Sequence, residues 1–482
     1  EISQAFMVRV SDLIQNNSNT QVSFIVTGKN LYNSDKNAIQ WRKYFLTNFK
    51  VHQCFDLFGV NNKVAGGKQL FDNANQPPAI LFYSVNRSNE KNNIKHIVAR
   101  ANKYYHYFKT IVIEKNDVKL IRQALFIQDD KLWKVMLYGN MLDYIFIKKL
   151  RQNNTIREVL SEYDLDIRGG FKSKDSNVPL NKRKSTNAYW DFDYIEVEGS
   201  KDLRQFQVSP SKTFKNKLVE LNSIGVISDD FKVPQISDIS YFKGKKLLIK
   251  KGLDKYLNHQ AVSAYYDKDC VFSSTIAAIV SIRSDISQNA ENALLCMSAL
   301  FNSRLFTYYL LMSSSSFGAD RNRVNFIEFL NMPFVEDAEL AELTKKVHKT
   351  LQEDILSQKQ ESITHLKELI ELKIQELFNI NKIEQDLINY VHEVSIPVMK
   401  RADRKNHLPI SIFDEITKES IENLENYCDI FFNHFGERFE NIGKEFLSDV
   451  YINKNFVAIN FKVLEEKRDK KILYHFNSKL SE

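Results

Sequence analysis

The chain has 482 residues, of which 43% are hydrophobic and 26% charged. That composition excludes wholesale disorder and leaves room for roughly three domains at ~150 residues each; no apolar run approaches the ~20 residues that a membrane-crossing helix needs, so no membrane partner is expected. The net charge of +7 permits a polyanionic partner without demanding one, so the placement of the basic residues matters more than their sum.

Residues 1–12 contain neither an initiating Met nor a basic start followed by an apolar stretch, and the chain is expected to be a fragment of a longer protein. Cys54, Cys270, Cys296 and Cys428 are far apart, with no CxxC pair and no nearby His ligands. They are expected to be reduced core thiols of a cytoplasmic protein, with no metal and no disulfide framework.

In chain order, Phe6, Val10 and Leu13 share a helical face, Thr20–Thr27 is a β-branched run, and Gly28 breaks it. Helical spacing over Trp41–Phe49 and strand-like runs at Val51–Phe58, Ala79–Val85 and Ile94–Ala99 continue the alternation. The pattern predicts an α/β layered domain over residues 1–115. The domain is expected to be partial, because the Gly-rich turn that usually follows the first strand of a nucleotide-binding sheet is missing.

Residues 116–150 read as a bridging helical segment, with Leu132–Leu150 as one long apolar-faced helix. Residues 151–335 change character: a turn at Arg168-Gly-Gly-Phe171, short strands at Lys246–Lys250 and Cys270–Ile282, and a helix over Ala290–Leu311 predict a mixed α+β unit with long loops. Over residues 336–400, Leu340, Leu343, Val347, Ile370 and Ile374 recur at helical spacing, which predicts a helical hairpin or short coiled coil. Residues 401–482 are a small α+β extension, with a helix at Lys418–Phe435 and strands at Phe446–Tyr451 and Phe456–Leu464.

Taken together, Ala5–Asp12, Phe24-Ile-Val26, Trp41–Phe49, Cys54-Phe-Asp-Leu-Phe58 and Leu70-Phe-Asp72 followed by Pro78-Ala-Ile-Leu-Phe-Tyr83 resemble the second half of the catalytic domain of adenine-N6 DNA methyltransferases. Further along, Asp166-Ile-Arg-Gly-Gly-Phe171, Phe242–Gly252, Leu300-Phe-Asn-Ser-Arg-Leu-Phe306 and Met332-Pro-Phe334 resemble the target-recognition domain of the same family. That family includes type I modification subunits and single-chain type IIG enzymes of restriction–modification and related anti-phage defence systems. The resemblance spans residues 1–334 and rests on the order of the series. It implies an incomplete Rossmann-like methyltransferase sheet, then a mixed target-recognition domain.

Two family features are absent: the Gly-containing turn for S-adenosylmethionine and the Asn/Asp/Ser-Pro-Pro-aromatic tetrapeptide. Asn75-Gln-Pro-Pro-Ala79 has the two prolines, but Gln precedes them and Ala follows. The chain alone is therefore expected to bind no S-adenosylmethionine, to hold no catalytic residue and to be inactive as a methyltransferase. The cofactor belongs to a complete enzyme, and the sequence leaves open whether its other half is in the same gene, in a partner polypeptide or absent. The resemblance also implies that Tyr83, with Phe82 beside it, walls the pocket for an extruded adenine, where stacking offsets part of the few kcal/mol that flipping costs.

Recognition of double-stranded DNA needs Arg or Lys for phosphates and a few side chains for base edges. The candidates are Arg168 at the turn, Lys172, Lys174, Lys182, Arg183 and Lys184 in the loop after it, and Lys250 and Lys251 at a strand end. Arg321, Asn322 and Arg323 follow the Ser-rich loop, and Tyr189 and Trp190 are candidate stacking or wedging aromatics. Each has a plainer reading: a solvated basic face, a polar helix cap, an aromatic anchoring a loop. Asp191, Asp193, Glu196 and Glu198 lie near Lys201 without forming a convincing nuclease signature. The competing expectation is a non-catalytic interaction module of a multi-subunit defence complex, docking other subunits through Asp337–Met399.

Overall fold

In the computed structural model, the described residues are 2–14, 20–59, 77–85, 91–100, 113, 115–189, 194–199, 201–210, 212–227, 232–254, 257, 260–282, 286–318, 326–353, 360–396, 418–453, 456–465 and 468–476. The architecture is mixed α/β. Two compact units are present, one between residues 2 and 396 and one over residues 418–476.

The first unit opens with α1 (Ile2–Leu13), β1 (Gln21–Thr27), α2 (Lys36–Asn48) and β2 (Lys50–Gly59), then β3 (Pro78–Ser84), β4 (Asn93–Arg100) and β5 (Val118–Arg122). The strands make one sheet in the order β1-β3-β2-β4-β5. β3 is antiparallel to both β1 and β2, so β1 and β2 run the same way with a later strand inserted between them. β2 and β4 are parallel, and β5 closes the sheet antiparallel to β4.

Period-2 alternation gives this sheet two unlike faces. Val26, Cys54, Leu81 and Tyr83 lie on the covered face, in one cluster with Met7, Phe45 and Phe49. The other face carries Ile25 and Leu120, 56% and 69% exposed. Ala38, Arg42, Phe45 and Leu46 are the buried stripe of α2. Arg42 is tolerated there because it is fully engaged: it donates to the carbonyls of Asn30 (3.0 Å) and Asn33 (2.6 Å) and pairs with Asp130.

Three local expectations change. α1 docks through Met7, whose carbonyl accepts the Tyr83 hydroxyl at 2.7 Å. That turns Phe6 and Leu13, the expected inner face, outward. The long helix expected over Leu132–Leu150 is two helices, α3 (Leu132–Tyr138) and α4 (Met141–Leu150). Asn140 starts the second: its side chain accepts from Leu142 N (2.7 Å) while the Asp143 carboxylate accepts from Asn140 N (2.7 Å). The helix expected over Ala290–Leu311 likewise bends by 72°, because Ser303 caps a new helix by accepting from Phe306 N at 3.2 Å.

The middle of the chain holds β6 (Leu165–Gly169), β7 (Ile195–Val197), α5 (Phe214–Ser223), β8 (Lys246–Lys250), β9 (Ser263–Tyr266), β10 (Cys270–Phe272) and β11 (Ile276–Ser281). A four-stranded antiparallel sheet runs β9-β8-β11-β6. It is buried on both faces. Leu165, Leu247, Ile249, Tyr265 and Ile279 point into the first core, whereas Leu248, Ala264, Tyr266, Ala278 and Val280 point into a second one built from residues 171–280. Alternation thus routes neighbouring residues of one strand to different cores.

The boundaries differ from those expected. α6 (Gln288–Phe301), α7 (Arg304–Ser313), α8 (Ala338–Glu353) and α9 (Gln360–Leu377) all belong to the first core. The expected unit over 151–335 is therefore split, and the hairpin of α8 and α9 packs on the first core: Leu340, Val347, Ile370 and Ile374 lie buried against the unit's own residues.

The second unit packs α10 (Lys418–Glu440) on a sheet of β12 (Glu445–Asn453), β13 (Phe456–Leu464) and β14 (Ile472–Phe476), in the order β13-β12-β14. Cys428, Phe432, Val450 and Ile452 form its core. β14 has no counterpart among the expected strands.

Candidate nucleic-acid interface

β6 ends at Arg168-Gly169, and the chain then leaves the sheet. A Cβ on Gly170 would stand 2.0 Å from the Phe272 carbonyl oxygen, so this position admits only glycine. The close approach lets Phe171 N donate to Phe272 O (2.7 Å) and Lys172 N to Gln235 O (2.8 Å). The turn is tied down further by Gln235 Nε2, which donates to Gly170 O (3.1 Å), and by Ser237 Oγ, which donates to Gly169 O (2.5 Å). Residues 235–241 are thereby laid alongside the end of β6.

Basic groups gather on this frame. Lys184 Nζ donates to Ile236 O at 3.2 Å. Lys251 Nζ lies 3.6 Å from where a Cβ on Gly169 would sit. The Arg168 guanidinium stands over the Tyr241 ring, 4.9 Å from its centroid, and pairs with Asp166. Lys174 and Lys182 are exposed in the loop after the turn. Arg168 and Lys184 therefore both meet the 235–241 segment, through Tyr241 and Ile236, whereas alternation puts Gly169 and the nearby Lys251 on the opposite face of β6 from Arg168.

Several of these cations are partly neutralised. Lys172 pairs with Asp175 at 2.6 Å, and that hydrogen bond holds the Asp175 carboxyl below the usual range. Lys250 pairs with Asp254 at 3.1 Å. Arg183 Nε donates to Val178 O at 3.4 Å, which uses it to fold the loop.

Other candidates sit elsewhere. Tyr189 is buried between Phe214 and Phe242 and donates to Ser237 O at 2.6 Å, so it anchors the loop instead of offering a stacking face. Tyr83 is fully buried, with Phe24, Phe45 and Phe49 around its ring. An aromatic enclosed in this way has no face for an extruded base, which corrects the expectation of a pocket wall; burial also pushes its hydroxyl pKa up. Phe82 points to the opposite, more open face and is half-buried. Trp190, Arg321, Asn322 and Arg323 lie outside the described residues.

Of the acidic group near Lys201, the described members are engaged in the chain's own contacts or buried. Glu198 pairs with Lys217 (2.8 Å) and Lys201 (3.7 Å), and its backbone N–H donates to Asp202. Asp191 and Asp193 lie outside the described residues, and no group of three or more candidate ligands occurs among those described. Glu196 is buried with one carboxylate oxygen unpartnered, and burial pushes its pKa up to about 7.

Gln235, Ser237 and Tyr241 were not anticipated from the sequence, and no spacing pattern links them to Gly169. Asp166 did leave a signal, since two residues' separation on a strand puts it on the same face as Arg168.

Among solved structures, the chain is similar to MmeI, a type IIL restriction-modification enzyme in complex with DNA, with 12% identity and a TM-score of 0.45 over 82% of this chain and 52% of that one. It is also similar to BpuSI, a type IIG restriction endonuclease, with 9% identity and a TM-score of 0.31 over 83% of this chain and 49% of that one. The chain thus spans about half the length of each. No family model matches the sequence, and no curated protein does.

Proposed function

We propose that this chain is the DNA-recognition part of an S-adenosylmethionine-dependent adenine-N6 DNA methyltransferase in a restriction–modification or related anti-phage defence system. The observation that carries this reading is the surface at the end of β6. Arg168 and Lys184 both meet there the 235–241 segment, which is tied to a turn whose motif resembles the target-recognition series. Lysines at such a surface neutralise phosphates and release counterions, which favours duplex DNA. The same-direction β1 and β2, with β3 between them, support a partial methyltransferase sheet.

S-adenosylmethionine is the cofactor proposed for the complete enzyme, where it supplies the methyl group. The Gly-containing turn and the tetrapeptide that hold it in the family are not in this sequence. A groove of about 490 Å³ is lined by residues of α1 and α2 alone, among them Val8, Trp41 and Tyr44, whereas sheets of this kind hold ligands beyond the carboxyl ends of strands. No methyl-transfer step is therefore derived from this chain. A further polypeptide segment, in the same gene or a partner subunit, is proposed to supply the catalytic half, and the protein is proposed to act in the cytoplasm.

The reading as an interaction module loses its main support, because the apolar stripe of α8 and α9 is occupied by the chain's own core.

Selection from a random duplex library at about 150 mM salt tests the proposal. An enriched motif containing an adenine is expected, with affinity falling by about 0.9 log units per log unit of salt for each phosphate contact. No enrichment, with weak binding lost as salt rises, would reduce the surface to a generic basic patch.

A further inference from the structure

We propose that Arg168 reads the edge of a guanine in the bound duplex, with Asp166 and Tyr241 as its positioning residues. The inference rests on the DNA-recognition reading above.

Asp166 and Arg168 project from one face of β6, and the Asp166 carboxylate is itself fixed, because one oxygen accepts from Ile167 N at 2.7 Å while the other pairs with the Arg168 guanidinium. The guanidinium carbon lies over the Tyr241 ring, 4.9 Å from its centroid. The two contacts together restrain the guanidinium. Among the described residues its other nitrogens have no hydrogen-bond partner, and the side chain is 44% exposed.

This arrangement suits a base reader better than a phosphate clamp. Pairing with Asp166 cancels most of the charge that would attract a phosphate, which exposed Lys174 and Lys182 supply without such restraint. A bidentate contact to guanine O6 and N7, in contrast, requires a planar donor pair held in one orientation. Holding it before binding removes the entropy that a free arginine would lose. Lys184, which reaches the same 235–241 segment through Ile236 O, supplies a cation for the adjoining backbone.

The test repeats the duplex selection with Arg168→Ala, Arg168→Lys, Asp166→Asn, Tyr241→Phe and Tyr241→Leu, each checked for an unchanged melting curve. In the wild type, the motif is expected to contain a guanine. Both Arg168 variants should lose the preference at that one position, by roughly 5- to 100-fold, and leave the other positions and the salt slope nearly unchanged. Asp166→Asn and Tyr241→Leu should relax the same position, while Tyr241→Phe, which keeps the ring face, should retain it. A uniform loss over all sequences, with the salt slope reduced by about one unit, would make Arg168 a phosphate contact and overturn the proposal. Unchanged selection in the Arg168 variants would overturn it too and leave DNA recognition standing. A wild-type chain that selects no motif defeats both readings.

Discussion

The ammonium group of Lys134, buried in the first core on α3, donates to the carbonyl oxygen of Phe317 at 2.7 Å, across 183 residues of chain. Tyr138, one turn on, donates to the next carbonyl, that of Gly318. Glu328 accepts from Ser315 N at 2.6 Å and from the hydroxyls of Ser314 and Ser315 at 2.8 Å. The serine-rich loop is therefore fastened from both sides.

Burial pulls the Lys134 pKa down from 10.5 to about 7, with Glu328 and Asp56 opposing the shift. Above pH 10.5 the group is neutral in both folded and unfolded chains. As pH falls from there to about 7, the unfolded chain takes up a proton that the folded one lacks, so stability is lost progressively; below 7 the full loss, on the order of a few kcal/mol, is present. Lys134→Met should flatten the dependence of the melting temperature on pH between 7 and 10. A slope unchanged by the substitution would show that Lys134 does not titrate in this way.

Glu196 has the opposite sign. Its pKa is raised to about 7 by burial, with Lys217 opposing. Below pH 4.5 it is protonated in both states and costs nothing; from pH 4.5 to about 7 the unfolded chain sheds its proton more readily, so stability falls. Glu196→Gln should stabilise the protein by about 1–3 kcal/mol at pH 8 and hardly at all at pH 4.5. Urea unfolding at the two pH values measures the difference.

Gly170→Ala should damage the interface from within. The new Cβ meets backbone oxygen at 2.0 Å, and backbone cannot move aside as a flexible side chain does. The links from Phe171 to Phe272 and from Lys172 to Gln235 should open, at a cost of at least about 2 kcal/mol. Hydrogen exchange at Phe171 and Lys172 should speed up, and DNA affinity should fall even though no charge is removed.

Ile374→Ala and Leu372→Ala test the place of α9 in the first core. Ile374 is buried and Leu372 is 59% exposed. If α9 belongs to the unit's core, Ile374→Ala should cost about 2–5 kcal/mol and Leu372→Ala less than about 0.5 kcal/mol. Equal small effects in a chemical-denaturation series would return α9 to the status of a docking surface.

Local periodicity in the sequence was enough to locate most of the secondary structure, because a helix or strand face is written in the spacing of its own residues. The α2 helix, the β8 strand and the helices α8 and α9 are legible for that reason, and the Asp166–Arg168 spacing predicts a shared face. Tertiary structure decided what lies outside any such window. Short capping bonds, at Asn140 and Ser303, broke two apolar runs that look continuous. Burial on both faces of the four-stranded sheet sent Leu247 and Leu248 to different cores, and enclosure by three Phe rings put Tyr83 inside one. The arrival of Gln235, Ser237 and Tyr241 beside Arg168 depends on a glycine, Gly170, passing against Phe272. Contacts between residues so distant in the chain follow from how the elements pack, and no repeat or motif in the sequence records them.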